Sequence, residues 1–180
     1  MNMFNKGIEI SEAIIQFVSL VDQAANGRPL LITKATNNQA QIFGYGRILK
    51  ADNDTHYVTG VVYEPGVKDA HGNFMREEEI RNAAHWFYQN SGRADIQHSF
   101  KETNGLTVVE SYVAPCDMTI GSEPVAKGSW VMTLEVADAE IWKAVQTGKL
   151  TGLSMGGTCR YGAPGTVEKN GQHYLHGLIL

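Results

Sequence analysis

The chain reads Thr151-Gly152-Leu153-Ser154-Met155-Gly156-Gly157 immediately after a short predicted helix. The helix, about residues 139 to 147, has Asp138 as its N-cap and Gly148 as its stop. The string G-L-S-M-G satisfies the bare G-x-S-x-G pattern of a nucleophile elbow, but an elbow requires a long helix after the serine. Here residues 158 to 165 include Gly162, Pro164 and Gly165, which break a helix. We therefore place Ser154 on or beside a β-strand, either as a nucleophile or as a serine in a structural turn.

Outward from this segment, stretches rich in Val, Ile, Thr and aromatic residues alternate with Gly, Asn and Asp turns, which is typical of strands. An Asn170-Gly171 dipeptide predicts a hairpin between residues 166 to 168 and the arm 173 to 180. A second helix, about Arg76 to Gln89, would bury Ile80, Ala83, Ala84 and Phe87. The other predicted strands are 13–21, 30–34, 41–49, 57–63, 95–100, 106–114, 129–136 and 150–155. Many strands with two helices predict an α+β domain on an antiparallel sheet or barrel.

Length and composition favour one globular domain over residues 1–180, with residues 1–40 as an N-terminal strand hairpin that is either appended or an integral pair of strands completing the barrel. The chain has 180 residues, 43% hydrophobic and 19% charged, with a net charge of -4. Such a charge disfavours direct nucleic-acid binding. No apolar run approaches the roughly 20 residues that span a bilayer, and no signal-peptide core follows Met1. We expect a protein of the cytoplasm without a membrane partner, and the apolar end at Leu180 suggests a processed or incomplete product.

A serine nucleophile needs a base, and His98 is the best candidate in the sequence. It lies in Asp95-Ile96-Gln97-His98-Ser99-Phe100, where alternation would place His98 with Ile96 and Phe100 on one strand face. The alternative is a partly buried histidine whose ring bonds to a backbone carbonyl.

The third member of a catalytic centre is open between Glu110 and His176. A turn over residues 100 to 106 would return the chain beside the His98 strand, making Glu110 a cross-strand or diagonal neighbour of His98. The alternative for Glu110 is a solvent-facing position. His176 lies on the predicted last strand, whose register the sequence does not define.

Metal and cofactor chemistry have little support. Asp69 and His71 share a loop, but the histidines lack a ligand spacing such as H-E-x-x-H. Cys116 and Cys159 lie far apart and are expected to be free thiols. We expect no cofactor, and a metal-dependent hydrolase around Asp69 and His71 is a third alternative.

Taken in order, these motifs resemble the XkdF-like phage proteins, a family placed among prohead (capsid maturation) serine proteases. The resemblance covers about residues 10 to 160 and rests on Gly60-Val61-Val62-Tyr63-Glu64-Pro65, Asp69-x-x-Gly72-x-Phe74-Met75, Ala83-Ala84-His85, Ile96-Gln97-His98, Val108-Val109-Glu110-Ser111-Tyr112, Gly128-Ser129-Trp130-Val131 and Gly152-Leu153-Ser154-Met155-Gly156-Gly157. The segment Phe17-Val18-Ser19-Leu20-Val21 is also similar to a stretch common in phage head proteases.

The resemblance, extended to the herpesvirus assemblin-like proteases, implies an antiparallel β-barrel flanked by helices. It implies that Ser154 is the nucleophile and that His98 is the general base. In many prohead proteases a Glu precedes the Val-Ser-Leu-Val string; here Phe17 stands there, and the string lies at the N-terminal end, as in a permuted barrel.

The implied activity is cleavage of phage scaffold and major capsid proteins, inside the assembling prohead in the host cytoplasm, by a homo-oligomer. The alternative is a non-catalytic capsid or scaffold assembly protein that retains the protease fold.

Overall fold

A computed structural model describes residues 8–22, 40–68, 73–99, 101–161, 166–169 and 172–175. The predicted strand at 30–34, the loop with Asp69 and His71, and His176 lie outside these residues. In the described part, the elements in chain order are β1 (Ile10–Val21), β2 (Ala40–Tyr45), β3 (Ile48–Asp52), β4 (Tyr57–Tyr63), α1 (Glu77–Asn90), β5 (Ala94–Ile96), β6 (Leu106–Val113), β7 (Met118–Ile120), β8 (Glu123–Val125), β9 (Trp130–Val136), α2 (Ala139–Gln146), β10 (Gly152–Tyr161), β11 (Thr166–Lys169) and β12 (Gln172–Leu175).

Two four-stranded sheets organise these elements. The first has the order β2-β10-β1-β5 and the second the order β3-β4-β9-β6, while β7-β8 and β11-β12 form separate two-stranded sheets. All described strand pairs are antiparallel except β1 with β5, which is parallel. We call the first sheet the site sheet, because it carries Ser154.

The core lies where the two four-stranded sheets face each other. Leu153 and Met155 of β10 are fully buried. A Cβ added at Gly60 of β4 would lie 3.0 Å from Leu153 Cδ1, so the two sheets pack closely at this point. In β9, six of the seven residues are buried, and its run Trp130 to Leu134 is buried throughout. A strand paired on both sides and covered on both faces is expected to lose the polar alternation of a half-exposed strand.

The helices confirm the sequence prediction. In α1 the buried residues are Ile80, Ala83, Ala84 and Phe87, and the Phe87 ring meets Trp130 edge-on at 5.4 Å. The Asp138 carboxylate caps α2 by accepting hydrogen bonds from two backbone N–H groups at 2.9 Å each. Gly148 follows this helix with a φ of 69°, a conformation that glycine adopts without steric cost.

The predicted antiparallel β-barrel of the herpesvirus-protease type is wrong. A closed barrel pairs every strand on both sides, whereas β2, β5, β3 and β6 end their sheets in the described part of the chain. At Gly46 the chain leaves the site sheet and enters the second sheet, since Gly46 N–H bonds to Leu153 O at 2.7 Å and Val61 N–H bonds to Arg47 O at 2.9 Å. The fold is mostly β, with open sheets and two helices among the described residues.

Several strand predictions need finer correction. The predicted strand 41–49 is divided at Gly46 into β2 and β3, and the predicted strand 95–100 shrinks to β5. The strand Tyr57–Tyr63 is confirmed, and β11 pairs with β12 as the predicted hairpin requires, while residues 176–180 of its predicted second arm lie outside the described residues. No helix in the described ranges is long and apolar enough to cross a bilayer.

Candidate active site

Three buried polar side chains form one row across the site sheet. Ser154 of β10 lies directly opposite Ser19 of β1, and Ser19 lies directly opposite Asp95 of β5. All three residues are fully buried. Because directly paired residues project to the same face of a sheet, their side chains share one face. We call these residues the polar row.

The polar row lies on the sheet face away from the main core. Val18 and Leu20, the strand neighbours of Ser19, belong to the core between the sheets, as do Leu153 and Met155 around Ser154. Side chains alternate along a strand, so Ser19 and Ser154 point to the opposite face. The two serines therefore meet the requirement that catalytic groups share a face.

His98 joins this face from the turn that follows β5. Its Nδ1 lies 3.0 Å from Ser19 Oγ, within hydrogen-bond distance. The turn is closed by Ser99 N–H donating to Ile96 O at 3.1 Å, and Gln97 N–H donates to Leu20 O of β1. Sequence alternation placed His98 on a strand; that placement is wrong, since the strand ends at Ile96.

The turn holds two consecutive residues in the left-handed region. Gln97 has a φ of 54° and His98 a φ of 56°. Left-handed backbone costs a residue with a side chain roughly 1–2 kcal/mol, and such strain concentrates at functional sites. The strained turn brings the imidazole of His98 to Ser19.

Burial favours the neutral form of the His98 ring. Burial lowers the pKa of His98 below its usual value, and the negative charge of Asp95 opposes this shift by raising the pKa. Asp95 itself accepts a hydrogen bond from Ser99 Oγ at 3.3 Å. A neutral imidazole can accept a proton, as a general base must.

Ser154 has a different environment from Ser19. Its Oγ donates a hydrogen bond to Gly44 O of β2 at 2.9 Å. Gly152 and Gly156 lie two positions away on the same face, opposite Val21 and Phe17 of β1. The same-face neighbours of Ser154 on its strand are thus glycines, whereas those of Ser19 are the large residues Phe17 and Val21.

Glu110 lies in the second sheet and not beside His98. It pairs with Thr133 of β9, whose hydroxyl donates to the Glu110 carboxylate at 2.6 Å. The predicted hairpin between the His98 strand and the Glu110 strand is wrong, because β5 pairs in parallel with β1 while β6 pairs with β9. His176, the other predicted third member, lies outside the described residues.

Two residues at this site escaped the sequence prediction as site residues, namely Ser19 and Asp95. Ser19 interrupts the apolar run Phe17 to Val21, and Asp95 precedes His98 by three positions. A single serine within an otherwise apolar run was the available signal for Ser19. Among the described residues, no group of three His, Cys, Asp or Glu could hold a metal ion.

Comparisons with known proteins identify the family. A family model described as "Putative phage serine protease XkdF" matches residues 46–161. The Phage-like element PBSX protein XkdF of Bacillus subtilis (strain 168) is 44% identical over 164 residues, which is 91% of this chain and 59% of that protein. The Uncharacterized protein YqbD of the same organism is 41% identical over 162 residues, covering 89% of this chain and 48% of that protein.

The chain thus spans about half the length of these relatives. No solved structure matches it. The length of the family match and the identity to PBSX XkdF confirm the resemblance first seen in the sequence motifs, and the chain belongs to the XkdF family of phage proteins, whose family name designates a serine protease.

Proposed function

We propose that this protein is a serine endopeptidase of phage head assembly, with Ser154 as nucleophile and His98 as general base. The observation that carries the proposal is the clustering of hydroxyl, imidazole and carboxylate groups on one sheet face. The His98 ring contacts Ser19 at 3.0 Å, and Ser19 lies between Ser154 and Asp95 in the polar row. These are the group types that serine hydrolases combine.

The reaction follows from these groups. His98 takes the proton from Ser154 Oγ while Oγ forms a bond to the scissile carbonyl carbon. The carbon–nitrogen bond of the peptide then breaks, and the imidazolium gives its proton to the leaving amine. Water, deprotonated by His98, attacks the acyl ester, and the proton returns to Ser154. For this step the Ser154 hydroxyl exchanges its bond to Gly44 O for one to the base.

Asp95 stabilises the imidazolium that forms in each half of the reaction. Its carboxylate raises the pKa of His98 and so favours the protonated ring. Since Asp95 is fully buried, its charge is weakly screened by water and salt. Glu110, whose carboxylate binds Thr133 in the other sheet, has no part in this proposal.

The substrates proposed are scaffold and major capsid proteins, cut inside the assembling prohead by a homo-oligomer. Support comes from the family name, which designates a phage serine protease, and from the resemblance of the sequence motifs to prohead proteases. Neither cofactor nor nucleic acid enters the proposed reaction.

A second candidate is a non-catalytic capsid or scaffold assembly protein. The full burial of Ser154 and Ser19 favours it, because a nucleophile must be reached by substrate. In that case the polar row would be a structural network of the sheet.

Active-site labelling separates the two candidates. The wild-type chain is incubated with a fluorophosphonate, and cleavage of co-expressed phage scaffold and capsid proteins is followed on gels. We expect labelling and cleavage in the wild type and the loss of both in Ser154→Ala, by several orders of magnitude for a nucleophile. His98→Gln should lose both as well.

Ser111→Ala is the matched control. Ser111 Oγ accepts a hydrogen bond from Trp130 Nε1 at 3.0 Å in the second sheet, so this variant loses a partly buried serine hydroxyl remote from the polar row. We expect it to keep labelling and cleavage. Undiminished cleavage by folded Ser154→Ala would refute the protease proposal in favour of the assembly protein.

A further inference from the structure

We infer that Ser19 is the positioning residue for His98, accepting a hydrogen bond from the imidazole Nδ1–H and so leaving Nε2 as the nitrogen that takes the proton of Ser154. The inference rests on the proposed function. It gives a role to a residue of β1, a strand at the opposite end of the chain from Ser154. It also supplies the orienting contact predicted for Glu110 or His176.

The contact between Ser19 Oγ and His98 Nδ1 at 3.0 Å can form in two directions. If the hydroxyl donates to Nδ1, Ser19 has the arrangement of a nucleophile with its base. If Nδ1–H donates to the hydroxyl, Ser19 holds the ring, and Nε2 is the basic nitrogen. The neutral tautomer of His98 therefore decides the role of Ser19.

The surroundings of the two serines favour the second direction. A nucleophile needs room for a scissile carbonyl and the chain on either side of it. Both serines are paired on both sides, Ser19 with Ser154 and Asp95 and Ser154 with Ser19 and Tyr45, but Ser19 lies between Phe17 and Val21 on its own strand. Ser154 instead has glycines at both same-face strand positions. On this face of β10 no side chain of its own strand crowds Ser154, whereas Phe17 and Val21 crowd Ser19; the nearest group over Gly152 is the Gly46 carbonyl oxygen, 2.7 Å from the position of an added Cβ.

Ser19 is also placed to be rigid. It lies near the end of a twelve-residue strand between β10 and β5, and its residue is fully buried. The backbone of His98, by contrast, belongs to a turn in a costly left-handed conformation. A hydroxyl acceptor fixed on β1 would hold the His98 ring in one orientation. The turn alone would constrain the ring less.

The tautomer can be read directly by NMR on the 180-residue chain labelled with ¹⁵N-histidine, at a pH where His98 is neutral. His98→Gln assigns the signals. We expect the Nδ1–H tautomer in the wild type and a shift toward the Nε2–H tautomer in Ser19→Ala. Ser111→Ala, which loses a hydroxyl bonded to a different ring N–H, should leave the His98 signals unchanged. An Nε2–H tautomer in the wild type would overturn the inference.

Mapping of the fluorophosphonate adduct by peptide mass spectrometry tests the same assignment through reactivity. We expect the adduct on Ser154 in both the wild type and Ser19→Ala. It should form about tenfold to a hundredfold more slowly in the variant, because a poorly oriented base loses part of the roughly 10²- to 10⁴-fold rate contribution of a general base. An adduct on Ser19 would overturn the inference while supporting a serine hydrolase. The absence of any adduct would instead overturn the proposed function, and the inference with it.

Discussion

Substitution of Gly46 by alanine should destabilise the corner that joins the two sheets. A Cβ at this position would lie 1.8 Å from the carbonyl oxygen of Val61. Ordinary contact begins near 3.4 Å, so the two backbones must separate by about 1.6 Å. That movement would break or stretch two hydrogen bonds, from Gly46 N–H to Leu153 O at 2.7 Å and from Val61 N–H to Arg47 O at 2.9 Å.

The expected cost follows from these two effects. Each lost hydrogen bond contributes about 1 kcal/mol, and forcing extra volume into a packed interior costs about 1–3 kcal/mol. Gly46→Ala should therefore lower the free energy of unfolding by about 3–5 kcal/mol. For a domain of this size that loss corresponds to a decrease in Tm of roughly 6–20 °C.

Urea denaturation followed by tryptophan fluorescence measures this loss, since Trp130 is fully buried. Gly66→Ala is the matched control: Gly66 has a φ of 72° and no atom within 4 Å of an added Cβ. The control gains the same methyl group and should lose only about 1–2 kcal/mol through backbone strain. If Gly46→Ala were no less stable than Gly66→Ala, the close approach of the two backbones would be refuted.

The remaining predictions concern the site and its support. Because burial lowers the pKa of His98, the acid limb of the pH profile of kcat/KM should lie below the usual pH range for histidine. Asp95→Asn removes the charge that raises this pKa, so the acid limb of this variant should move to still lower pH. A move to higher pH would contradict the assignment of His98 as the base. Glu110→Gln should keep fluorophosphonate labelling, because its carboxylate binds Thr133 in the other sheet, and lost labelling would restore Glu110 as a catalytic candidate. Asp138→Ala should cost about 1 kcal/mol in thermal unfolding through the lost N-cap of α2, and no change would argue against the two capping bonds. Leu153→Ala should cost about 2–5 kcal/mol in urea denaturation by emptying a fully buried position, and a loss below 1 kcal/mol would contradict the packing between the sheets.

Local signals in the sequence predicted local structure well. The helices follow from the spacing of Ile80, Ala83, Ala84 and Phe87 and from the N-cap Asp138, both of which act within a few residues. The Asn170-Gly171 dipeptide likewise predicted the pairing of β11 with β12.

Partner choice between distant strands was beyond the sequence. β5 could turn back to pair with β6, but it pairs in parallel with β1, about 75 residues away. That choice places Asp95 beside Ser19 and separates Glu110 from His98. Alternation of apolar residues gives the face of each strand but not its neighbour, so the same pattern suits an open sheet and a barrel.

At the candidate site, too, local features could be predicted from the sequence and the pairing of distant strands could not. Ser154 and His98 were predicted from the chemistry of their side chains and from a family resemblance, and their catalytic roles stay predictions. Ser19 was hidden because a serine among Val18, Leu20 and Val21 reads as an ordinary strand residue. Only the register of β1 with β10 and β5 reveals that it lies between two other polar groups.

Under the proposed function, the left-handed pair Gln97 and His98 opposes thermal stability to catalytic activity. Glycine at position 97 would relieve roughly 1 kcal/mol of backbone strain and would be an easy gain under selection for heat resistance. The same change would widen the range of conformations open to the turn that carries the imidazole. We expect variants selected for stability alone to accept glycine there and to lose catalytic rate, as proteins often do when a strained functional turn is relaxed.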